Sequence, residues 1–513
     1  MKPFLRIIIA LAIASLTSLQ AAISINEPDT IDSLLKEVIA KEAKVDGPAA
    51  AAKRAFSEGR FEEAVDLAKP LVKSGDADAL FLMGLAHESG RGLEFSRDKA
   101  LDFYRKASSA GHEDAGYRGA LLLLLSDKEN ERDEARKTLE KAAETQVAVA
   151  GRLLGEAWLR GRLSKEPKPE KAIEWWHRAA KADDLTSIRL LAALREGSFG
   201  FEKFIDPAKS IELYRQAAEL GDVQSMIDLG SRLLNGQESL RNEQRGRAWL
   251  SKAAESGDLR ACLVLGDYEQ NVKKDDKAAL QAYERGKDGG QLDCTLLTAD
   301  FYLAGRGTEK DPQRGKALLL QAAEGGHPMA QFQVAMLLIS AENPDLAAAY
   351  INLLSASNQQ LAVAQNELGL FYLGGKLGVA DPAAATSWLT RAAKLGNAAA
   401  QNNLAALYEV GAAGLQQDYK NAGELYGLAA QQGHVEATLA LARLLSSGGP
   451  VEKNLPKAWA LASLAEERGG ENGSKMKEAI GSKLDAQQRK KALEILAGFK
   501  KPASNGPKVN SPE

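Results

Sequence analysis

Cysteine is nearly absent: 2 residues in 513, which excludes a disulfide-dense scaffold and a cysteine-rich zinc protein. Aromatic residues are also scarce, at 6%. Neither sign of charge dominates, since 66 Lys and Arg face 69 Asp and Glu for a net charge of −3, and this balance excludes a general nucleic-acid binder. The catalytic signatures are missing too. No Gly-Lys-Ser/Thr phosphate loop is present, and Gly315-Lys316 lacks the glycine spacing that such a loop needs. There is no Gly-x-Ser-x-Gly elbow and no His-Glu-x-x-His helix. The 5 histidines do not cluster with cysteine, so no metal site and no cofactor is expected. Hydrophobic residues at 45% and charged residues at 26% describe an ordinary folded chain and exclude a wholly disordered one.

Long apolar runs are confined to the N-terminus. Lys2 and Arg6 precede an uncharged stretch from Ile7 to Leu19, and small residues follow at Ala21-Ala22. That order predicts a secretory signal peptide over 1–21, cleaved after Ala21 or retained as an anchor. The stretch is short for a bilayer span, which needs about 20 apolar residues. No other segment is long enough, so the mature chain is expected to be exported, periplasmic or secreted, with no membrane span.

The rest of the chain is periodic. Ala-Ala-x-x-Gly recurs at Ala217 to Gly221, Ala253 to Gly257, Ala322 to Gly326, Ala392 to Gly396 and Ala429 to Gly433. Taking its last residue as an anchor gives Gly75, Gly111, Gln146, Asp183, Gly221, Gly257, Gly290, Gly326, Gln360, Gly396, Gly433 and Gly469, spaced by about 36 residues. Offsets −11, +4 and +9 from the anchor hold small residues throughout, for example Ala385, Ala400 and Gly369. Offsets +4, +8, +9 and +12 share one face of a helix, here named A, and offsets −11, −8, −4 and −3 share one face of a second helix, B. A recurrent glycine inside helix A disfavours the helix by ~1 kcal/mol, so its repetition argues for a close helix crossing. Replacing Gly369 or Ala400 with Leu should overpack that crossing. Asp206-Pro207, Asp311-Pro312, Asn343-Pro344 and Asp381-Pro382 predict capped starts of B helices. The anchor glycine suits a left-handed helix end, and Gln146, Asp183 and Gln360 are expected to build different corners.

The phrase A-x-x-x-L-G-x-x-Y, then G-x-G, then D-x-x-x-A-x-x-W-x-x-x-A-A-x-x-G resembles the Sel-one-like repeat (SLR) family, tetratricopeptide-like helical repeats, in its exported bacterial form. The resemblance implies an all-α, right-handed α/α solenoid, a superhelix of about twelve antiparallel helix pairs with A helices lining the concave face. The expected organisation is a signal peptide over 1–21, a helical segment over 22–47 (a helix from Ile31 to Val45), and a tetratricopeptide-like capping pair over 48–74. The repeat solenoid follows over 75–470, then C-terminal capping helices over 471–498 and a disordered tail over 499–513.

Candidate residues follow from this frame. His112, His327 and His434 each stand one residue after an anchor and read as corner residues, and His87 reads as packing. Trp175 and Trp176 are adjacent on a B helix and cannot point the same way, so one is expected at an edge. Cys262 and Cys294 fall at related offsets of successive A helices. A disulfide between them and two buried small residues are both open readings, because packed helices lie ~8–10 Å apart whereas a disulfide needs Cα atoms within ~7 Å. Offsets +5 to +7 carry Gln331 and Gln333, Gln365 and Asn366, and Gln401, Asn402 and Asn403. This ladder is the candidate ligand-binding face, with glutamines that bond neighbouring turns as the structural alternative. The functional expectation is a non-catalytic scaffold or adaptor in the cell envelope for a protein or peptide partner of unknown identity. The alternative is a peptidoglycan- or glycan-binding protein with weak hydrolase activity. The oligomeric state is not fixed by the sequence.

Overall fold

The computed structural model describes residues 47–500, apart from 113, 145–147, 377, 379 and 449–450. The signal peptide, the helix expected from Ile31 to Val45 and the tail beyond 500 lie outside the described residues. The described residues form α-helices joined by tight turns and short 3-10 or π turns, with no strand among them. Ala50–Ser57 and Phe61–Lys73 make the expected shorter first pair. Eleven A–B pairs follow, from Ala77–Ser89 with Arg97–Ser109 to Val435–Ser447 with Leu455–Glu467. Two helices, Gly473–Gly481 and Ala486–Lys500, close the array, the second running slightly further than expected.

The chain divides into two compact units, one ending at Leu265 and one beginning at Gly266. Within each, small residues let A and B cross closely. An added Cβ at Gly84 would stand 2.5 Å from Tyr104, one at Gly155 2.3 Å from Trp176, and one at Gly369 2.8 Å from Leu389. The paired alanines are sealed, with Ala364, Ala385, Ala392 and Ala400 all at 0% exposure. Repeat-to-repeat bonds bridge residues about one repeat apart. In the first unit Arg97 Nη2 donates to Glu131 at 2.7 Å, and in the second Asn403 Nδ2 donates to Asn366 Oδ1 at 3.0 Å.

The helix starts are capped as the sequence predicts at Pro207, Pro312 and Pro382, where Asp206, Asp311 and Asp381 each accept an amide three residues on. The exception is Asn343-Pro344: Asp345 is the cap and the helix begins at Leu346. Asp345 accepts the Ala348 amide at 2.9 Å, which places Pro344 just outside the helix. Two of the three non-glycine corners are a second correction, and Gln146 lies outside the described residues. Asp183 (φ 58°) and Gln360 (φ 62°) adopt the same left-handed conformation as Gly396 (φ 83°), so the corner geometry is unchanged and strain is accepted instead. The third is the tryptophan pair, both members of which are buried. Trp176 packs on Gly155 and donates Nε1 to Arg152 O at 3.2 Å, while Trp175 joins the cluster of Leu121, Leu139 and Leu153 beneath Arg178. A B helix in a stack has two covered faces, one against its own A helix and one against the preceding pair.

Candidate functional site

The predicted ladder separates into two chemistries. Gln331, Gln365 and Gln401 at offset +5 are buried, and each donates Nε2 to a carbonyl at the end of the preceding B helix: Ala323, Ser357 and Ala393, at 3.2, 2.9 and 3.2 Å. Each adds a second donor to a helix-end carbonyl that already accepts the amide of the corner residue Gly326, Gln360 or Gly396. In two of the three corners the next repeat completes the arrangement, since Gln359 donates to Gln331 Oε1 at 3.1 Å and Gln432 to Gln401 Oε1 at 2.9 Å. At the third corner the equivalent position is Leu395, and Gln365 Oε1 is buried without a donor.

Gln333, Asn402 and Asn403 are half-buried, and Asn366 is buried. Asn366 Oδ1 accepts from Asn403, and Asn366 Nδ2 donates to Glu367 at 3.1 Å. Together with Leu370, Ala406 and the exposed Val410, the three asparagines give the A helices Ala362–Leu373 and Ala398–Val410 an amide-and-aliphatic face with the Glu367 carboxylate beside it. Such a face offers donors and acceptors without a nucleophile.

Three histidines are used by the corners, and His87 bonds a loop carbonyl. His327 Nδ1 accepts the Ala330 amide and its Nε2 meets Asp293 at 2.9 Å; His434 Nδ1 accepts the Ala437 amide. His112 Nδ1 accepts the Asp114 amide, and His87 Nδ1 meets the Glu94 carbonyl at 3.0 Å. Cys262 in the first unit and Cys294 in the second are each buried thiols, so neither is half of a disulfide. Among the described residues no group of three potential ligands could hold a metal. No described helix is long and apolar enough to cross a membrane.

One recurrent constellation was not anticipated. Offset +13 of an A helix, offset −7 of the following B helix and the next A helix bring together Glu88, Tyr104 and Arg118. The same set recurs as Glu196, Tyr214 and Arg232, and as Glu409, Tyr426 and Arg443. Arg118 grips Glu88 with Nε at 2.9 Å and Nη2 at 2.7 Å, and the Tyr104 hydroxyl donates to the same carboxylate. Tyr426 donates to Glu409 at 3.0 Å, and Arg443 donates to its other oxygen. Burial raises the phenols of Tyr104, Tyr214 and Tyr426, so none is a nucleophile near neutral pH. The sequence does carry a signal for these sets. Position −7 is Tyr where the preceding +13 is Glu or Gln (Glu88, Glu196, Gln270, Glu409), and Leu or Trp where it is Leu or Ile.

Comparison with known proteins adds the following. The Sel1 repeat family pattern matches eight segments: 77–112, 150–184, 187–222, 223–258, 294–327, 362–397, 398–434 and 435–470. Chitin synthase regulatory factor 3 of Schizosaccharomyces pombe is 27% identical over 266 residues, 50% of this chain and 28% of that protein. Chitin synthase regulator SKT5 of Saccharomyces cerevisiae is 29% identical over 265 residues, 49% of this chain and 38% of that protein. The chain thus spans well under half the length of either relative. Among solved structures, a protective antigen of uropathogenic Escherichia coli with an SLR fold aligns at a TM-score of 0.48 and 23% identity. That alignment covers 87% of this chain and 99% of that one. A Sel1 repeat protein from Oxalobacter formigenes aligns at 0.48 and 23% over 63% of this chain and 93% of that one.

Proposed function

This chain belongs to the Sel1 repeat family, and on that premise we propose that it is a non-catalytic scaffold holding a protein or peptide partner on its A-helix face. The observation that carries this reading is the amide-and-aliphatic face of Ala362–Leu373 and Ala398–Val410. Asn402 and Asn403 stand half-exposed there, beside Ala406 and Val410, with no reacting group among them. Amide side chains match the alternating donors and acceptors of an extended peptide backbone, and aliphatic neighbours receive its side chains. The relatives support the same role, being named as regulators of an enzyme and not as enzymes. The apolar stretch from Ile7 to Leu19, with Lys2 and Arg6 before it, supports a location in the cell envelope, with an envelope protein or an enzyme acting there as the partner.

Panning a random-peptide display library on the purified chain tests the binding role. The expected outcome is a set of enriched peptides whose binding is lost in Asn402→Ala plus Asn403→Ala, while Arg215→Ala on a B helix leaves it intact. Retention of peptidoglycan fragments with no enriched peptide would overturn it in favour of a glycan binder. Fusing residues 1–46 to a reporter active only after export tests the location. Activity is expected, and a silent reporter contradicts it.

A further inference from the structure

Several arginines of the first unit that are partly shielded from water grip a carboxylate. Arg97, Arg118, Arg136 and Arg232 each bring a guanidinium nitrogen to 2.6–2.7 Å of an acidic oxygen. Arg152, Arg160 and Arg189 do not. Arg152 Nη1 stands 3.9 Å from Asp184, and Arg189 Nη1 stands 3.8 Å from Asp222, although only 20% and 22% of their side chains is exposed. The Nε of Arg189 is sealed from solvent with no acceptor. Arg160 makes no ion pair among the described residues, and burial lowers its pKa.

These arginines stand on two successive A helices. Arg152, Glu156 and Arg160 are spaced by four residues, so they form one stripe along the A helix Ala148–Leu159 and its end. Arg189 occupies in the next A helix, Leu185–Glu196, the offset that Arg152 occupies in its own. Glu156 is 4% exposed, and no hydrogen bond reaches its carboxyl among the described residues. Arg152 and Arg160 act on it from its own helix and Asp184 from the next one. A buried, unbonded acid among under-used guanidiniums is an unfilled polar arrangement, because buried polar groups are ordinarily hydrogen-bonded.

We propose that Arg152, Glu156, Arg160 and Arg189 form an oxyanion site on the A-helix face of the first unit, which takes a carboxylate of an acidic peptide segment. The guanidinium fork matches the two oxygens of a carboxylate. Burial pushes Glu156 up to about 7, despite the two nearby arginines, so near neutral pH its protonated form donates an O–H to the incoming oxygen. The inference rests on the scaffold reading and gives it a ligand class. The carboxylate comes from a Glu or Asp side chain or from a chain terminus.

The test uses the full chain and four labelled octapeptides: alternating Glu-Gly and alternating Gln-Gly, each with a free or an amidated C-terminus. Fluorescence anisotropy is followed at about pH 6.5. The expected result is saturable binding of a carboxylate-bearing peptide, with the amidated Gln-Gly peptide at least about tenfold weaker, the loss that one charge-assisted contact gives. Loss on amidation alone identifies a chain terminus; retention by amidated Glu-Gly identifies side chains. Arg152→Gln and Arg189→Gln should each weaken binding by about tenfold, whereas Arg215→Gln on a B helix should not. Arg189→Lys keeps the charge and loses the fork, so it should also weaken binding in a chain whose fold is undisturbed. Equal binding of the amidated Gln-Gly peptide, no binding of any carboxylate peptide at about 1 mM, or unchanged binding in folded arginine variants would each overturn the site. If these fail while panned peptides still depend on Asn402 and Asn403, the scaffold reading stands and this site falls.

Discussion

Equivalent junctions are filled with two different chemistries, and both units use both. Glu88–Tyr104–Arg118 and Glu196–Tyr214–Arg232 in the first unit and Glu409–Tyr426–Arg443 in the second put a charged, hydrogen-bonded set between helices. Three successive junctions of the second unit instead place Leu319, Leu353 and Leu389 at the tyrosine position, all at 2% exposure or less, and Leu303, Ile339 and Leu373 at the glutamate position. The small residues that set the helix crossing are the same in both. The difference teaches that the frame is fixed by what is absent from offsets −11, +4 and +9. Where the members are buried, as Tyr104 and Arg118 are, the polar residues can change only as complete sets, because losing one leaves the others without partners.

That comparison breaks most severely if one member of a set is removed alone. Glu88→Leu leaves Arg118, 2% exposed, as an unpaired buried charge and should destabilise the first unit by about 3–5 kcal/mol in denaturant unfolding. Glu88→Leu with Tyr104→Leu and Arg118→Leu reproduces the apolar junction of Leu303 and Leu319 and should recover most of that loss. A triple variant no better than the single would show that the sets are not interchangeable. The shared frame is probed next. Gly155→Ala forces a Cβ to 2.3 Å from Trp176 and should cost about 3 kcal/mol. Gly423→Ala, in a B helix with nothing within 4 Å, should instead stabilise by about 0.5–1 kcal/mol.

Offset +10 gives a gentler contrast between the units. It holds Glu156 in the first and Asp267 in the second, and burial raises both, to about 7 and about 6. A carboxyl raised in the fold binds more protons than the unfolded chain, so its contribution is complete below the unfolded value of 4.5 and is lost as pH rises through about 7. Glu156→Gln should therefore raise stability at pH ~8 by about 2 kcal/mol and change little at pH ~4. Asp267 accepts a 2.7 Å bond from Tyr283, which the Asn carbonyl oxygen can also accept, so Asp267→Asn should likewise raise stability at pH ~8. Equal melting curves for Glu156→Gln and parent at both pH values would contradict the burial argument.

The smallest effect lies within the second unit. Gln331 and Gln401 have a glutamine from the next repeat on their oxygens, and Gln365 does not. Leu395 is 48% exposed, so Leu395→Gln supplies the donor with little lost burial and should add about 1 kcal/mol, whereas Gln432→Leu should remove about as much.

The fold was legible in the sequence because a stack of hairpins writes its crossing geometry once per repeat. The spacing of Gly84, Gly155 and Gly369 set the helix pairs, and the Asp-Pro pairs marked most of the starts. The corners at Asp183 and Gln360 were not legible, because a left-handed residue without glycine leaves no trace in composition. Trp175 and Trp176 misled because helix periodicity gives one buried face, and stacking adds a second. The site was only partly legible. Amides on the A face were visible, but which of Gln331, Gln333 and their neighbours turn to a helix end depends on carbonyl positions that spacing does not carry. Arg152 and Arg189 were hidden because exposed and under-paired arginines look alike in a sequence.

The central claim is that partners are held on A helices by a frame that does no chemistry. Hydrogen exchange followed by mass spectrometry, with and without a peptide selected by panning, tests it directly. The account predicts slowed exchange in Ala362–Leu373 and Ala398–Val410, unchanged exchange in the B helices Pro382–Lys394 and Tyr419–Gln431, and a peptide recovered intact. Protection confined to the B helices, or a peptide recovered cleaved, would contradict it.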